Sequence, residues 1–369
     1  MTNYQSLGVR PVINAYATVT KFGGSLMPPE VLSAMNEAAG SFVDLAQLQR
    51  RVGERIAELT RNEAAYVTSG AAAGIVLASA AAVLRKHPEA LKRLPDIRAF
   101  KAEAIIFRAQ RNPYDYAIHQ TGLKFDEIAG LPVALRNAIT DRSACIFWFP
   151  RGNACADEIS LAEVIAIGAE YDIPVIVDAA AQLPPVENLW RFTEMGAALA
   201  LFSGGKDLRG PQPTGLMLGR RDLIDSIRPI SNPNHGLGRP LKVGKEELLG
   251  LLAAIERYLT LDHAARAQYC EEAVQLFCAA LNPLPGLRAE RVFPNEAGQP
   301  LPWCRVTIDP TALGKSAEDI LAAFLAHEPA IAVSPLDETH FHLNPMTLNP
   351  GEELIVRDAC LRLLRLDRP

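Results

Sequence analysis

The chain has 369 residues, 49% of them hydrophobic and 21% charged, and a formal net charge of −5. That is enough material for about two domains with a sizeable core, and the acidic balance without long basic runs argues against a nucleic-acid surface. Six scattered cysteines with no C-x-x-C pair fit reduced thiols in a cytoplasm better than a disulfide framework or a zinc site.

The N-terminus MTNYQSLGVRPVINAY lacks the basic start and apolar core of a signal peptide. Residues 1–42 read as an arm: an irregular piece with Gly23 and Gly24, then a helix opened by Pro28-Pro29-Glu30. DLAQLQRRVGERIAELT puts Leu45, Leu48, Val52, Ile56 and Leu59 on one helical face. The strand AAYVT (Ala64–Thr68) leads into a helix from Gly70, whose apolar run to Leu84 is too short and too alanine-rich to span a bilayer. AEAIIF (Ala102–Phe107) leads into a turn and the helix PYDYAIHQTG. A strand around Ser143–Phe149 precedes the helix SLAEVIAIGAEYD, after which come IPVIVDA, ALALFS (Ala198–Ser203) and TGLMLG (Thr214–Gly219). From about Val243, KEELLGLLAAIERYLTLDHAARAQYCEEAVQLF has helical spacing throughout and reads as a bridge to a smaller α+β domain. The expected organisation is an arm and helix over 1–42, a large α/β domain over 43–260 and a small C-terminal domain over 261–369.

Short apolar strands interleaved with helices predict a mainly parallel sheet covered on both faces, and such sheets bind ligands at the C-terminal ends of their strands. Two of those ends carry chemistry. Asp178 closes IPVIVD, and Lys206 lies in SGGKDLRGPQPTG, where Gly204, Gly205 and Gly210 permit tight turns. A carboxylate at a buried strand end needs a partner, and a pyridinium N–H is one. A lysine near a cofactor is a usable amine and base. Together they are what pyridoxal 5'-phosphate (PLP) requires: an amine for the Schiff base and an acid that keeps the pyridine nitrogen protonated. Thr68-Ser69-Gly70-Ala71 opens an alanine-rich helix whose N-terminal N–H groups suit a phosphate, and Ser203 adds a hydroxyl. Ala180 is placed against a ring face and Gln182 toward the ring hydroxyl.

The turn FRAQRNPYDYAIH offers Gln110, Arg111, Asn112 and Tyr114 at a further strand end, one of them to cover the exposed ring face and Arg111 as a substrate or phosphate ligand or a surface ion-pair partner. Arg10, Arg239, Lys242 and Lys245 are candidates for anion binding. His340 and His342 alternate as strand residues do and have no third ligand for a metal. The run at Lys206 does not match a Walker A loop, and neither a G-x-S-x-G elbow nor a strand-linked G-x-G-x-x-G occurs, against a hydrolase and a nicotinamide enzyme.

The runs RPVINAYATVTKFGGSLMPPEVLSAM, ELTRNEAAYVTSGAAAGIVLASAA, IPVIVDAAAQLPPVENL, FSGGKDLRGPQPTGLMLGRRDLI and GRPLKVGKEELLGLLAAIERYL resemble, in order, one family. It is the group of PLP enzymes related to bacterial selenocysteine synthase (L-seryl-tRNA selenium transferase) and D-glucosaminate-6-phosphate ammonia-lyase. The resemblance is stronger to the short ammonia-lyase branch and implies the fold-type I, aspartate aminotransferase-like architecture. It implies Lys206 as the Schiff-base lysine, Asp178 as the pyridine-nitrogen partner, and Ser69, Gly70, Ala71 and Ser203 as the phosphate cup. It also implies a homodimer or larger assembly with active sites at subunit boundaries, where the Arg239 and Thr214 regions serve a neighbour. One position departs from the family: the turn often reads histidine-arginine-asparagine, and here Gln110 replaces the histidine with an amide that does not titrate near neutral pH.

The reaction so implied is Cα deprotonation and β-elimination on a small polar or phosphorylated amino acid, by a cytoplasmic enzyme without nucleic-acid or membrane partners. A cationic side chain such as Arg10, Arg111 or Arg239 would hold the substrate anion. Racemisation and aldol cleavage share the first steps. Seryl-tRNA replacement and a non-catalytic PLP-binding protein fit the residues less well.

Overall fold

The structure is a computed structural model that describes residues 2–152 and 158–364. Cys155 lies outside the described residues. The strands are β1 (Val12–Ala15), β2 (Ala64–Thr68), β3 (Glu103–Phe107), β4 (Lys124–Ile128), β5 (Ser143–Trp148), β6 (Val175–Asp178), β7 (Leu199–Ser203), β8 (Gly215–Gly219), β9 (Leu287–Val292), β10 (Trp303–Ile308), β11 (Ala330–Asp337) and β12 (His340–Leu343). The helices are α1 (Pro29–Ala39), α2 (Leu45–Leu59), α3 (Ala71–Lys86), α4 (Tyr116–His119), α5 (Pro132–Ala138), α6 (Leu161–Glu170), α7 (Asn188–Glu194), α8 (Arg221–Ile227), α9 (Lys245–Leu259), α10 (His263–Leu281), α11 (Pro310–Leu313), α12 (Ala317–Ala326) and α13 (Glu352–Leu363).

The chain divides into two compact units. One is Met27–Leu261; the other joins the residues up to Leu26 to those from Asp262 onward. The 1–42 segment is therefore split. Its first part supplies β1, which pairs in parallel with β11 in the smaller unit (Val12 opposite Ala330), while α1 belongs to the larger unit. The helical stretch from Val243 is also two helices. α9 ends at Leu259, and Asp262 starts α10 by accepting a hydrogen bond from Ala265 N–H at 2.8 Å, so a new N-cap interrupts the periodicity.

In the larger unit seven strands run in the order β2-β8-β7-β6-β5-β3-β4. β8 is antiparallel to both its neighbours, and the five strands β7, β6, β5, β3 and β4 are parallel. Side chains alternate across the sheet as the pleat requires. On β7, Leu199 and Leu201 enter one apolar layer with Ile75, Val76 and Leu77 of α3, while Ala200 and Phe202 enter the other with Val52, Ile56, Leu251 and Tyr258. With both faces covered, the central strands are apolar throughout, and each fully buried aliphatic side chain contributes about 1.5–3 kcal/mol. α3 is buried from Ala73 to Leu84, and its many alanines let it lie close to the strands.

The smaller unit has a five-stranded sheet in the order β1-β11-β12-β10-β9. Its apolar layer joins Ile13, Val306, Ile331 and Phe341 of the strands to Val274 and Phe277 of α10, Ile320 and Phe324 of α12 and Val356 of α13.

Candidate active site

The strand order brings the chemistry-bearing residues to one edge of the larger sheet. β2, β7, β6, β5 and β3 all present their C-terminal ends there, and the register ties them together. Asp178, the last residue of β6, stands opposite Leu201 of β7. Ser203, the last residue of β7, stands opposite Gly215, which is also opposite Thr68, the last residue of β2.

A cavity of about 240 Å³ opens at this edge and is lined by Lys206, Asp178, Ala180, Gln182 and Gln110 among others. The amine and the carboxylate share its wall. Asp178 Oδ1 accepts a hydrogen bond from Ala180 N–H at 3.1 Å, and its Oδ2 has no hydrogen-bond partner among the described residues. Burial pushes the Asp178 carboxyl above its ordinary range, opposed by the Ala180 N–H and by the Lys206 charge. Burial likewise pushes the Lys206 amine below its ordinary range, opposed by Asp178. A carboxylate able to accept one more hydrogen bond, beside an amine with a lowered pKa, is the pair of groups a protonated pyridine nitrogen and an aldehyde need, so these residues fit PLP.

Gln110 is buried, and its Oε1 accepts a hydrogen bond from Phe149 N–H at 2.9 Å, joining the ends of β3 and β5. A backbone N–H only donates, so this contact fixes the amide oxygen on Phe149 and leaves the NH2 end as the group for the cavity. Asn112 caps the turn by accepting from Tyr114 N–H, and its own amide donates to Gln110 O. Arg111 lines the cavity too, but its guanidinium pairs with Asp115 and Glu127 and lies 4.8 Å over the Phe125 ring.

Ser69, Gly70, Ala71 and Ser203 stand outside the lining of that cavity, at the adjoining strand ends. Gly70 is the N-cap of α3 with φ of 95°, a conformation that favours glycine. Thr68 Oγ1 donates to Gly70 O at 2.9 Å and braces the turn. A Cβ on Gly215 would come within 2.4 Å of Gly70 C and 2.5 Å of Thr68 Oγ1, so the open N-terminus of α3 lies directly against β8.

The remaining candidates are elsewhere. Arg10 is in the smaller unit, where it donates to His327 O and pairs with Glu328 at 2.8 Å. Arg239 donates to Asn232 Oδ1 at 3.2 Å within the loop after α8. Lys245 donates to Ala38 O and pairs with Glu246, and Lys242 is exposed. In the smaller unit His340 pairs with Asp337, and His342 lies against Trp303 with its pKa lowered to about 4 by burial and by Arg305. The described cysteines are free thiols. The cavity also includes Phe149, Pro150, Arg151 and Ala181, which sequence reasoning did not single out; Arg151 pairs there with Glu158. The signal was available, since FPRG directly follows a strand whose C-terminal end reaches this edge.

Comparison with known proteins bears on the same residues. Residues 134–276 match the family described as L-seryl-tRNA selenium transferase. A 5'-C-glycyluridine monooxygenase-decarboxylase from a Streptomyces species is 34% identical over 96% of this chain and 90% of its own length. The chain belongs to the family of selenocysteine synthase and D-glucosaminate-6-phosphate ammonia-lyase. The D-glucosaminate-6-phosphate ammonia lyase of Salmonella typhimurium is 29% identical over 96% of this chain and 95% of its own. A solved D-glucosaminate-6-phosphate ammonia-lyase superposes with a TM-score of 0.83 at 28% identity, covering 99% of both chains. The fold is thus fold-type I, the chain is an enzyme of the PLP-dependent lyase type, and PLP is the cofactor of the family. No helix among the described residues is long and apolar enough to cross a membrane.

Proposed function

We propose that this enzyme binds PLP at Lys206 and Asp178 and releases ammonia from a small polar or phosphorylated amino acid by Cα deprotonation and β-elimination. The observation that carries the reading is the cavity wall shared by Lys206 and Asp178 at the ends of neighbouring strands. When bound there, PLP supplies an electron sink for the Cα carbanion. Asp178 would hold the pyridine nitrogen and keep it protonated. The Lys206 amine, whose pKa burial lowers, would take the Cα proton. Ser69, Gly70 and Ala71, at the N-terminus of α3, hold the phosphate, with Ser203 beside them. Ala180 and Gln182, which line the cavity, would border the ring. Gln110 would lie against the ring with an amide that exchanges no proton near neutral pH, which favours elimination over racemisation. Of the arginines expected to hold the substrate anion, Arg111 lines the cavity, and Arg10 and Arg239 are the remaining candidates. The family likeness and the exposed apolar side chains of Leu32, Phe42 and Val43 in the larger unit support a homodimer or larger assembly.

A second reading, decarboxylation, is favoured by the Streptomyces relative, a monooxygenase-decarboxylase. One assay separates the two. Purified protein with PLP is incubated with D- and L-amino acids, amino-sugar acid phosphates and nucleoside amino acids, and ammonia, carbon dioxide and oxygen are followed. Elimination gives ammonia and an oxo acid in equal amounts without oxygen uptake. Carbon dioxide with oxygen uptake, or racemised substrate without ammonia, would overturn the lyase proposal.

A further inference from the structure

The turn that carries Lys206 is closed on itself and seated on one helix. Gly204 N–H donates to Thr214 O at 2.8 Å, Gly210 N–H to Gly204 O at 2.8 Å, and Arg209 N–H to Lys206 O at 3.0 Å. Beneath the turn stand Leu251, Ala254 and Tyr258 of α9, three and four positions apart and so on one helical face. The seating is tight: a Cβ on Gly204 would lie 2.7 Å from Leu251 Cδ1, and one on Gly210 3.3 Å from Ala254 Cβ. Leu208 of the turn is fully buried in the same apolar layer as Leu251 and Tyr258.

The seat also includes a polar contact. Tyr258 is 0% exposed, and its hydroxyl donates to Asp207 Oδ2 at 2.7 Å; Asp207, next to Lys206, is 2% exposed. Phenylalanine would fill the same apolar space, and a phenol and a carboxylate cost free energy to bury. That cost is offset where the two bond, and the bond ties α9 to the residue beside the lysine. We propose that Tyr258 is a positioning residue: through Asp207 it fixes the turn that aims the Lys206 amine into the cavity. The inference rests on Lys206 being the cofactor lysine.

The test uses the holoenzyme with Tyr258→Phe and Asp207→Asn. The readouts are the visible circular dichroism of bound PLP, which reports how rigidly the cofactor is held, and kcat and KM on any substrate found by the assay above. Tyr258→Phe is expected to weaken the visible band per bound cofactor and lower kcat about ten- to a hundredfold with KM little changed, the size of effect that misplacing a reacting group produces. Asp207→Asn keeps an acceptor oxygen for the phenol and is expected to stay within about threefold of wild type in kcat, the difference between a charged and a neutral acceptor. A Tyr258→Phe enzyme with the wild-type band and kcat, even if it melts earlier, overturns the proposal. So does an Asp207→Asn variant with a normal fold that falls as far as Tyr258→Phe is expected to fall. A wild-type protein without any visible PLP band overturns the cofactor reading and this proposal together, so the two failures are told apart.

Discussion

At Asp178 two influences oppose each other. Burial raises the carboxyl pKa and is the larger, while the Ala180 N–H and the Lys206 charge lower it. The folded pKa therefore stands above the unfolded one, and the stability this group contributes is fully present below the unfolded carboxylate pKa and lost as pH rises through the folded one. Asp178→Asn removes the titrating charge and keeps an oxygen for Ala180 N–H. The apo-variant should melt at a higher temperature than apo wild type near neutral pH, with the gap closing below about pH 4. It should also be catalytically poor, because an amide holds the ring nitrogen's proton less firmly. Calorimetry of the two apo-proteins across that range checks the sign, and an Asn variant less stable than wild type near neutral pH contradicts it. Lys206 has the opposite sense: burial lowers its pKa, so the neutral amine is reached at a lower pH than for a surface lysine.

Among the elements, the β2–β8–β7 register sets the geometry of the proposed phosphate side, and Gly215 is a tight point in it. Gly215→Ala puts a methyl within 2.5 Å of Gly70 and Thr68 atoms. The expected loss is about 1–3 kcal/mol of stability, with weaker PLP binding because the N-terminus of α3 must move. Denaturant unfolding and a PLP titration measure both, and an alanine variant with unchanged PLP affinity would contradict this role. The strands that build the site were legible. AAYVT and IPVIVD are apolar runs that end abruptly in polar residues, and β2 and β6 end at Thr68 and Asp178 as their sequences suggest. β4 was not legible, because Lys124, Asp126 and Glu127 fill three of its five positions and only its place at the sheet edge makes that tolerable. The Tyr258–Asp207 bond was not legible either. It joins residues 51 apart through the way α9 packs on the lysine turn, which no local pattern encodes. Nor does sequence show that the Arg111 guanidinium is shared by Asp115 and Glu127, since Glu127 belongs to that same edge strand.

For the whole molecule, the residues proposed to hold the cofactor all belong to the larger unit, and the smaller unit takes in the first 26 residues through β1. Exposed Phe42, Val43 and Leu32 leave apolar surface on the larger unit. Light scattering coupled to gel filtration should give a mass of at least twice the 40.0 kDa chain, and replacing Phe42 with serine should shift the protein toward monomer; a wild-type monomer contradicts the proposed assembly. The central claim is that Lys206 and Asp178 form a PLP site, and absorbance of the purified protein with added PLP tests it most directly. Wild type should show a visible band that shifts on adding amino acids and that is lost in Lys206→Ala, together with a fall in turnover of about 10²–10⁴-fold. No band in wild type, or the same band in Lys206→Ala, would contradict the claim.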